Sequence, residues 1–297
     1  MKQCASLVCF ADQAGANVER QWGYETMLRA LFTNVKPIIG MVHLKPLPGS
    51  PLYRPGSMDQ VCAVAVEEAL ILQEGGVDGI QVENIWDYPY LKCEEIGHET
   101  VAALTAAAIK VKEAVEIPIG INCHLNGVLQ SIAVATAVGA KWVRVFEWTN
   151  AYISHAGYIE GAGGKAMRYK NAIGAHEIRF FCDVHVKHGS HFIVSDRSIE
   201  ERARDAELNG ADAIVISGWE TGAPPDLNLV RTVKEKVTVP VILGSGVNEK
   251  NVTELLAVAD AAIVGSHFKS DGNWRSPVDR DRVRRFMKLV RRLRAEL

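Results

Sequence analysis

The residues whose types and spacing point most directly to chemistry stand near the end of the chain. Two short apolar runs, residues 241–244 and 261–265, each stop at a Gly–Ser turn. Glycines let a backbone approach an anion closely, and free N–H groups at such a turn supply its hydrogen bonds. Two successive strands that end in this way are how a (β/α)8 barrel builds a phosphate site after its seventh and eighth strands. The pattern predicts that a phosphate is held by Gly244, Ser245, Gly246, Gly265 and Ser266.

The run at residues 180–187 is the second candidate for chemistry. Alternate residues of a strand face opposite sides, so its apolar set faces the helices and the set with Asp183, His185 and Lys187 faces the barrel interior. Buried charges are costly unless they are paired. The row is therefore either an internal ion-pair ladder, in which Arg144 pairs with Asp183, or a catalytic acid–base row. We favour catalysis for His185 and Lys187 near the rim, and both roles stay open for Asp183.

Polar residues end the other predicted strands as well, where barrel active sites gather. Glu83 is a candidate general base, and its alternative role is to accept hydrogen bonds from loop N–H groups. With Asp87 and Glu147 it could supply oxygen ligands to Mg²⁺ or Mn²⁺, although no residue is assigned to a metal. Lys187 is expected to bind an anionic substrate as a point charge rather than to form a Schiff base. The candidates for substrate binding are His43, Asn84, Asp87, Asn122, Glu147 and Thr221.

Short β-branched runs that alternate with helical patterns predict the scaffold, which is a set of parallel strands joined by crossover helices. Eight strands are predicted, at residues 37–44, 79–83, 118–123, 142–147, 180–187, 213–217, 241–244 and 261–265. We therefore predict an α/β fold of the (β/α)8 TIM-barrel class. The alternative is an open doubly wound sheet. That fold carries its glycine-rich turn after the first strand, and here such turns come last.

The predicted domain organisation is an N-terminal extension, residues 1–36, followed by the barrel domain, residues 37–297. Residues 22–32 are expected to form a short helix over the bottom of the barrel, and residues 1–20 are either disordered or lie upstream of a native start at Met27. The loop at residues 148–170 carries four glycines. A loop of that length over a barrel mouth is typical of a lid, and the alternative is surface disorder.

Composition narrows the function classes. The net charge of −2 gives no support to a nucleic-acid partner, and no apolar run approaches the ~18 residues of a membrane span. Six cysteines without a CxxC pair indicate a reducing, cytoplasmic setting. The basic final segment is interpreted as the eighth barrel helix with a solvated face, and the alternative is a peripheral membrane contact. A homo-oligomer is expected on general grounds alone.

Several stretches of the chain resemble the BtpA/SgcQ family. They are residues 40–49, 82–84, 159–161, 182–188, 221–222, 244–246 and 261–266, together with Asp87 and Pro89. The resemblance covers roughly residues 27–293 and implies a TIM barrel of the phosphate-binding type. Trp86 departs from the family pattern, which has a glycine-like residue there. Family members are named for photosystem I biogenesis or for a sugar-utilisation gene cluster, and no secure reaction comes with the resemblance.

Two hypotheses of function follow. The first is an enzyme that acts on a phosphorylated sugar or phosphoribosyl metabolite. Isomerase or lyase chemistry suits a site that has acid–base groups and lacks a nucleophile motif. Glu83 and Asp183 are the candidate acid and base, and His185 and Lys187 would bind or polarise the oxygen atoms of the substrate. The second is a non-catalytic assembly factor of the photosystem I biogenesis type that retains a ligand site. The fold alone cannot choose between them.

Overall fold

The computed structural model describes residues 27–297, so the expectations for residues 1–26 lie outside the described residues. Its centre is a closed barrel of eight parallel strands, which confirms the predicted fold class. The barrel strands are β1 (Ile38–His43), β2 (Gly79–Glu83), β3 (Ile119–Asn122), β4 (Trp142–Val145), β7 (Arg179–Asp183), β8 (Ala213–Ile216), β9 (Val241–Leu243) and β10 (Ala261–Val264). The barrel strands pair in chain order, and β10 closes the barrel on β1. An antiparallel hairpin, β5 (Ala151–Ser154) and β6 (Gly157–Glu160), follows β4.

Helices cover the outside of the barrel, because each has an apolar stripe to bury against the strands. In the described part of the chain they are α1 (Met58–Gly75), α2 (His98–Ala114), α3 (Val128–Val138), α4 (Gly163–Ala172), α5 (Ile199–Leu208), α6 (Leu227–Lys236), α7 (Val252–Val258) and α8 (Arg280–Ala295). The Asp279 side chain caps α8 by accepting a hydrogen bond from the Arg282 N–H. The same helix buries Val283, Phe286 and Val290. The basic final segment is therefore a barrel helix, and its apolar stripe is already covered by protein.

Aromatic side chains fill the lower half of the barrel. Trp142 lies at the centre and is fully buried, and its indole N–H donates to the Gln81 side-chain oxygen at 2.6 Å. Gly120 leaves room for it, because a Cβ at that position would lie 2.1 Å from the indole ring. Residues 27–31 are helical, and Leu28 and Phe32 close the bottom against this layer. Residues 27–31 of the helix predicted at residues 22–32 are therefore helical, and the part of that prediction at residues 22–26 lies outside the described residues.

Most predicted strands end within one or two residues of the observed bounds, and the two largest differences lie near the barrel mouth. The strand predicted at residues 180–187 ends at Asp183, because the pairing with β8 runs out there and the chain turns into a loop. The long loop at residues 148–170 contains the β5–β6 hairpin and the start of α4. Its tight turn is made at Gly157, whose φ of +93° favours glycine. No helix within residues 27–297 is long and apolar enough to cross a bilayer.

Candidate active site

Two loops at the C-terminal end of the barrel form a cradle, which we define as residues 244–248 and 265–267. They line a cavity of about 190 Å³. Within residues 27–297, six backbone N–H groups of the cradle donate to no protein acceptor; they belong to Ser245, Gly246, Val247, Gly265, Ser266 and His267. A group of free N–H donors around a small polar cavity is the arrangement that binds anions. The structure thus brings together all five residues that were predicted to hold a phosphate.

Three of these residues also have structural reasons to be there. A Cβ at Gly244 would lie 2.4 Å from the Ser217 hydroxyl, and one at Gly246 would lie 2.2 Å from the backbone of Ala223. The Ser245 hydroxyl accepts from the Gly218 N–H at 2.9 Å and donates to the Ala223 carbonyl at 3.1 Å. The Ser245 side chain therefore ties two loops together, and its backbone N–H remains for a ligand.

Arg282 supplies a positive charge to the cradle. It stands on the first turn of α8 and lines the same cavity, where its Nε donates to the His267 carbonyl at 2.7 Å. In the sequence Arg282 is one of several basic residues of a helix with a solvated face, and nothing local distinguishes it as a cavity residue. The Asp279 cap, which accepts from the Arg282 N–H, fixes where α8 begins and so places Arg282 on its first turn, beside the cradle.

Glu83 lies on the barrel axis side of the same cavity, at the end of β2. It is buried, its Oε2 accepts from the Asn122 amide at 3.3 Å, and its Oε1 lies 3.7 Å from Nε2 of both His43 and His124. Burial alone would raise the pKa of Glu83, but the nearby His124 ring and the Arg144 guanidinium outweigh burial and lower this pKa to about 2. The carboxylate is therefore ionised throughout the neutral range.

His43 offers a hydrogen-bond acceptor next to Glu83. Its Nδ1 lies 3.1 Å from the Trp274 carbonyl oxygen, which can only accept, so Nδ1 carries the hydrogen and Nε2 has the lone pair. Burial and the charge of Lys269 lower the pKa of His43 to about 3, so the ring is neutral at pH 7.

Arg144 and Asp183 form an ion pair in the barrel interior, which confirms the predicted pairing. Arg144 Nε donates to Asp183 Oδ2 at 2.8 Å, and Nη2 donates to Oδ1 at 3.0 Å. The Ser217 hydroxyl donates to the same Oδ1 at 3.1 Å. Because these bonds occupy Asp183, the structure favours the ion-pair role for it over the acid–base role.

Lys187 reaches the centre of the site although it lies beyond the strand. Its side chain lines the cradle cavity, and within residues 27–297 it has no hydrogen-bond acceptor. Burial and the charge of Arg144 lower the pKa of Lys187 to about 8, against the opposing effect of the Glu83 and Asp183 carboxylates. An ammonium group that titrates near neutrality can bind an anion and can transfer a proton.

His185 is not brought to the cavity, because the strand alternation on which its prediction depended ends at Asp183. Its ring stacks on His191 with centroids 4.1 Å apart, and its Nδ1 lies 3.2 Å from Nη2 of Arg202 on α5. Glu147 also lies away from the cradle, where its Oε1 accepts from the Asn150 N–H. Burial raises the pKa of Glu147 to about 7.

Asn84 and Asp87 join the first three barrel loops. Asn84 donates to Asp87 at 2.7 Å and accepts from the His124 N–H at 2.8 Å, while Asp87 accepts from the Leu47 N–H at 2.8 Å. Thr221 lines the cradle cavity, and its hydroxyl lies 2.9 Å from His188.

Among the residues that the structure describes, no group of three or more His, Cys, Asp or Glu could hold a metal ion. The suggested Mg²⁺ or Mn²⁺ stays a prediction.

A second cavity, of about 460 Å³, adjoins the cradle cavity, and we call it the aromatic cavity. The two share Ile85, Arg144, Lys187 and Thr221 as lining residues. Rings make up much of its wall; they belong to Tyr88, Tyr90, His124, Phe146, Tyr152, His155 and Trp274. Most of these rings come from loops, and sequence analysis singled out none of them.

The chain is similar to known proteins in both sequence and fold. The model of the BtpA family matches residues 34–292. An uncharacterised protein of Archaeoglobus fulgidus is 39% identical over 256 residues, which make up 86% of this chain and 99% of that protein. The photosystem I biogenesis protein BtpA of Synechocystis sp. is 35% identical over 261 residues, covering 87% of this chain and 89% of that protein. N-(5′-phosphoribosyl)anthranilate isomerase from Pyrococcus furiosus superposes with a TM-score of 0.53 and 16% identity, over 86% of this chain and 98% of that chain, which shows the shared fold alone.

Proposed function

The chain belongs to the BtpA family, and from that starting point we propose that it is a barrel enzyme acting on a phosphorylated sugar or phosphoribosyl metabolite. The proposed chemistry is acid–base catalysis of the isomerase or lyase type. One observation carries the proposal: the cradle and the groups able to move a proton, Glu83, His43 and Lys187, line a single cavity.

The cradle would fix the phosphate and so place the sugar carbons between Glu83 and Lys187. Glu83, which stays ionised, would take a proton from the carbon next to a carbonyl group and return it to the neighbouring carbon. Lys187, with a pKa lowered to about 8, would donate a proton to the carbonyl oxygen to give the enediol, and would take a proton back from the neighbouring hydroxyl as the new carbonyl group forms. His43 Nε2 would accept a hydrogen bond from a sugar hydroxyl.

The name of the structural neighbour supports the substrate class, because it describes an isomerase of a phosphoribosyl compound with the same fold. Arg144 takes no direct part in this scheme. Paired with Asp183, it would hold the positive potential that keeps the pKa of Lys187 low.

Ligand binding is tested first, by thermal shift and calorimetry with inorganic phosphate, ribose 5-phosphate and other sugar phosphates. A ligand at 100 times its Kd should stabilise the protein by about 2.7 kcal/mol. Ser266→Asp places a carboxylate in the cradle and should abolish binding, whereas Ser266→Ala keeps the backbone N–H and should retain it. Arg282→Gln should weaken binding by about 1.5–3 kcal/mol.

Arg284 provides the matched control for Arg282, because it is exposed on the same helix outside the cavity. Arg284→Gln makes the same change in net charge and should leave binding unaltered. If both arginine variants weaken binding equally, long-range attraction explains the result and the cradle has no specific role.

Catalysis is tested by nuclear magnetic resonance in D₂O, where acid–base chemistry exchanges the proton next to the carbonyl group for deuterium. Any sugar phosphate that binds should show this exchange, and both Glu83→Gln and Lys187→Met should abolish it. Binding without exchange for every compound in the panel would contradict the enzymatic proposal.

A non-catalytic assembly factor is the second candidate, and the name of the Synechocystis relative favours it. Membrane contact through α8 would have to rest on its exposed cationic side chains, because its apolar stripe is buried. Salt-sensitive binding to anionic vesicles that is lost on charge reversal of Arg284 and Arg285 would support this candidate. No vesicle binding would remove its physical basis.

A further inference from the structure

The aromatic cavity has no task in the proton transfers described above, and a plain sugar phosphate does not need it. A dry apolar cavity of about 150 Å³ already admits benzene, and this one measures about 460 Å³. We propose that the ligand carries an aromatic ring on its phosphorylated sugar, with the phosphate in the cradle and the ring in the aromatic cavity. The inference rests on the proposed function, and it adds the class of substrate.

The connection between the two cavities supports a single ligand that occupies both. Arg144 and Lys187 line both cavities, so a molecule that reaches from one into the other must pass them. The sugar would then lie beside Lys187, between the phosphate at one end and the ring at the other.

The walls of the aromatic cavity suit a planar ring better than a flexible hydrocarbon chain. His124 lies 4.6 Å from the Tyr90 ring and 4.9 Å from the Phe146 ring, measured between centroids, so these three side chains are already packed against one another. Trp274 packs edge-on against Trp86 with ring centroids 5.2 Å apart, and the Arg275 guanidinium lies 4.6 Å over its ring. Rigid aromatic walls select flat partners through stacking and edge contacts.

Unpaired polar atoms in the same wall argue against a purely hydrocarbon ligand. Nδ1 of His124 and the hydroxyl of Tyr152 are buried without a hydrogen-bond partner among the described residues, whereas Nε2 of His124 lies 3.7 Å from Glu83 Oε1. Buried polar groups normally have partners. A ring that bears carbonyl, amino or carboxylate substituents would supply them.

The charged residues of the aromatic cavity determine which charge the ring of the ligand can carry. Asp183, the carboxylate in the cavity wall, is already bonded to Arg144. Lys187 and Arg275 have no carboxylate within salt-bridge distance in the described part of the chain. A neutral or anionic ring therefore fits the site, whereas a cationic ring would face uncompensated positive charge.

The test compares ligands that share a phosphate and differ in the ring. Calorimetry would give Kd values for ribose 5-phosphate, for uridine and adenosine 5′-monophosphates, and for orotidine 5′-monophosphate, whose ring is anionic. We expect at least one ring-bearing compound to bind 10-fold or more tightly than ribose 5-phosphate. Phe146→Leu should remove most of that advantage, measured as the ratio of the Kd of ribose 5-phosphate to that of the ring-bearing compound in the same variant.

Phe192→Leu is the matched control, because Phe192 is 84% exposed and lies outside the cavity wall. Equal affinities for plain and ring-bearing compounds would overturn this inference and leave the proposed function standing. A ring advantage that survives Phe146→Leu but not Phe192→Leu would also overturn it. Failure of every phosphate compound to bind would overturn the proposed function itself.

Discussion

Replacing Lys187 with methionine should make the protein more stable at neutral pH while it removes a residue of the proposed site. The pKa of Lys187 falls from 10.5 to about 8 in the folded chain. Each pH unit between those values corresponds to about 1.4 kcal/mol, so the buried charge lowers the free energy of unfolding by up to about 3 kcal/mol. That figure is an upper limit, because the side chain keeps some contact with solvent.

The sign of the effect follows from proton binding. Between pH 8 and 10.5 the unfolded chain holds a proton on Lys187 that the folded chain has released, so the stability of the unmodified protein rises with pH across that window. Below pH 8 the full penalty applies. Lys187→Met should therefore be stabilised most at pH 7, and its advantage should shrink steadily as the pH approaches 10.5.

Urea unfolding of both proteins at pH 7, 8, 9 and 10 measures this difference, and other titrating groups cancel in the comparison. Lys288→Met is the matched control, because Lys288 is exposed on α8 and its replacement should change stability at pH 7 by less than about 0.5 kcal/mol. A Lys187→Met protein that is less stable at pH 7, or whose advantage is the same at pH 7 and pH 10, would refute the reasoning.

Three further predictions concern the barrel interior, the cradle and the reaction. Asp183→Asn leaves a buried arginine unpaired and should lower the free energy of unfolding by about 3–5 kcal/mol, whereas the same change at Asp205, in a surface ion pair, should cost under about 1 kcal/mol. Gly246→Ala should fail to give a folded protein, because its Cβ would lie 2.2 Å from backbone atoms. Gly174→Ala, at a similar φ but with open space around it, should lower Tm by only a few degrees. Equal effects of the two substitutions would contradict the packing argument. Exchange of the substrate proton should fall above pH 8 as Lys187 loses its proton, and an alkaline limit that persists in Lys187→Arg would assign it to another group.

The barrel strands could be predicted because each is a short apolar run followed by a turn, a signal that lies within a few neighbouring residues. The Gly–Ser turns of the cradle carry the same kind of local signal. The pairing of Arg144 with Asp183 could also be foreseen, because an interior charge needs a partner and the neighbouring strand offers one.

Residues whose placement depends on the path of a loop could not be predicted in this way. His185 continues an alternating pattern, yet the chain leaves the sheet after Asp183 and Arg202 binds its ring on the outer side. Lys187 was expected in the site because of strand alternation, and it arrives there by a loop. Phe146 and Trp274 line one cavity although they lie in loops that are far apart in the sequence. No local sequence pattern predicts that two such residues lie close together.

The candidate site differs from the rest of the barrel in how its buried lysine is paired. Lys269 is as deeply buried as any lysine in the described residues, and it is held by the two oxygens of Glu68 at 2.8 and 2.9 Å. Lys187 lacks such a partner, and the guanidinium nearest to it is committed to Asp183. A fold that pairs one buried lysine so completely could have paired the other at little structural cost. The unpaired ammonium and the backbone N–H groups of the cradle line the same cavity, and both support the proposed anionic ligand, which would bind to both at once.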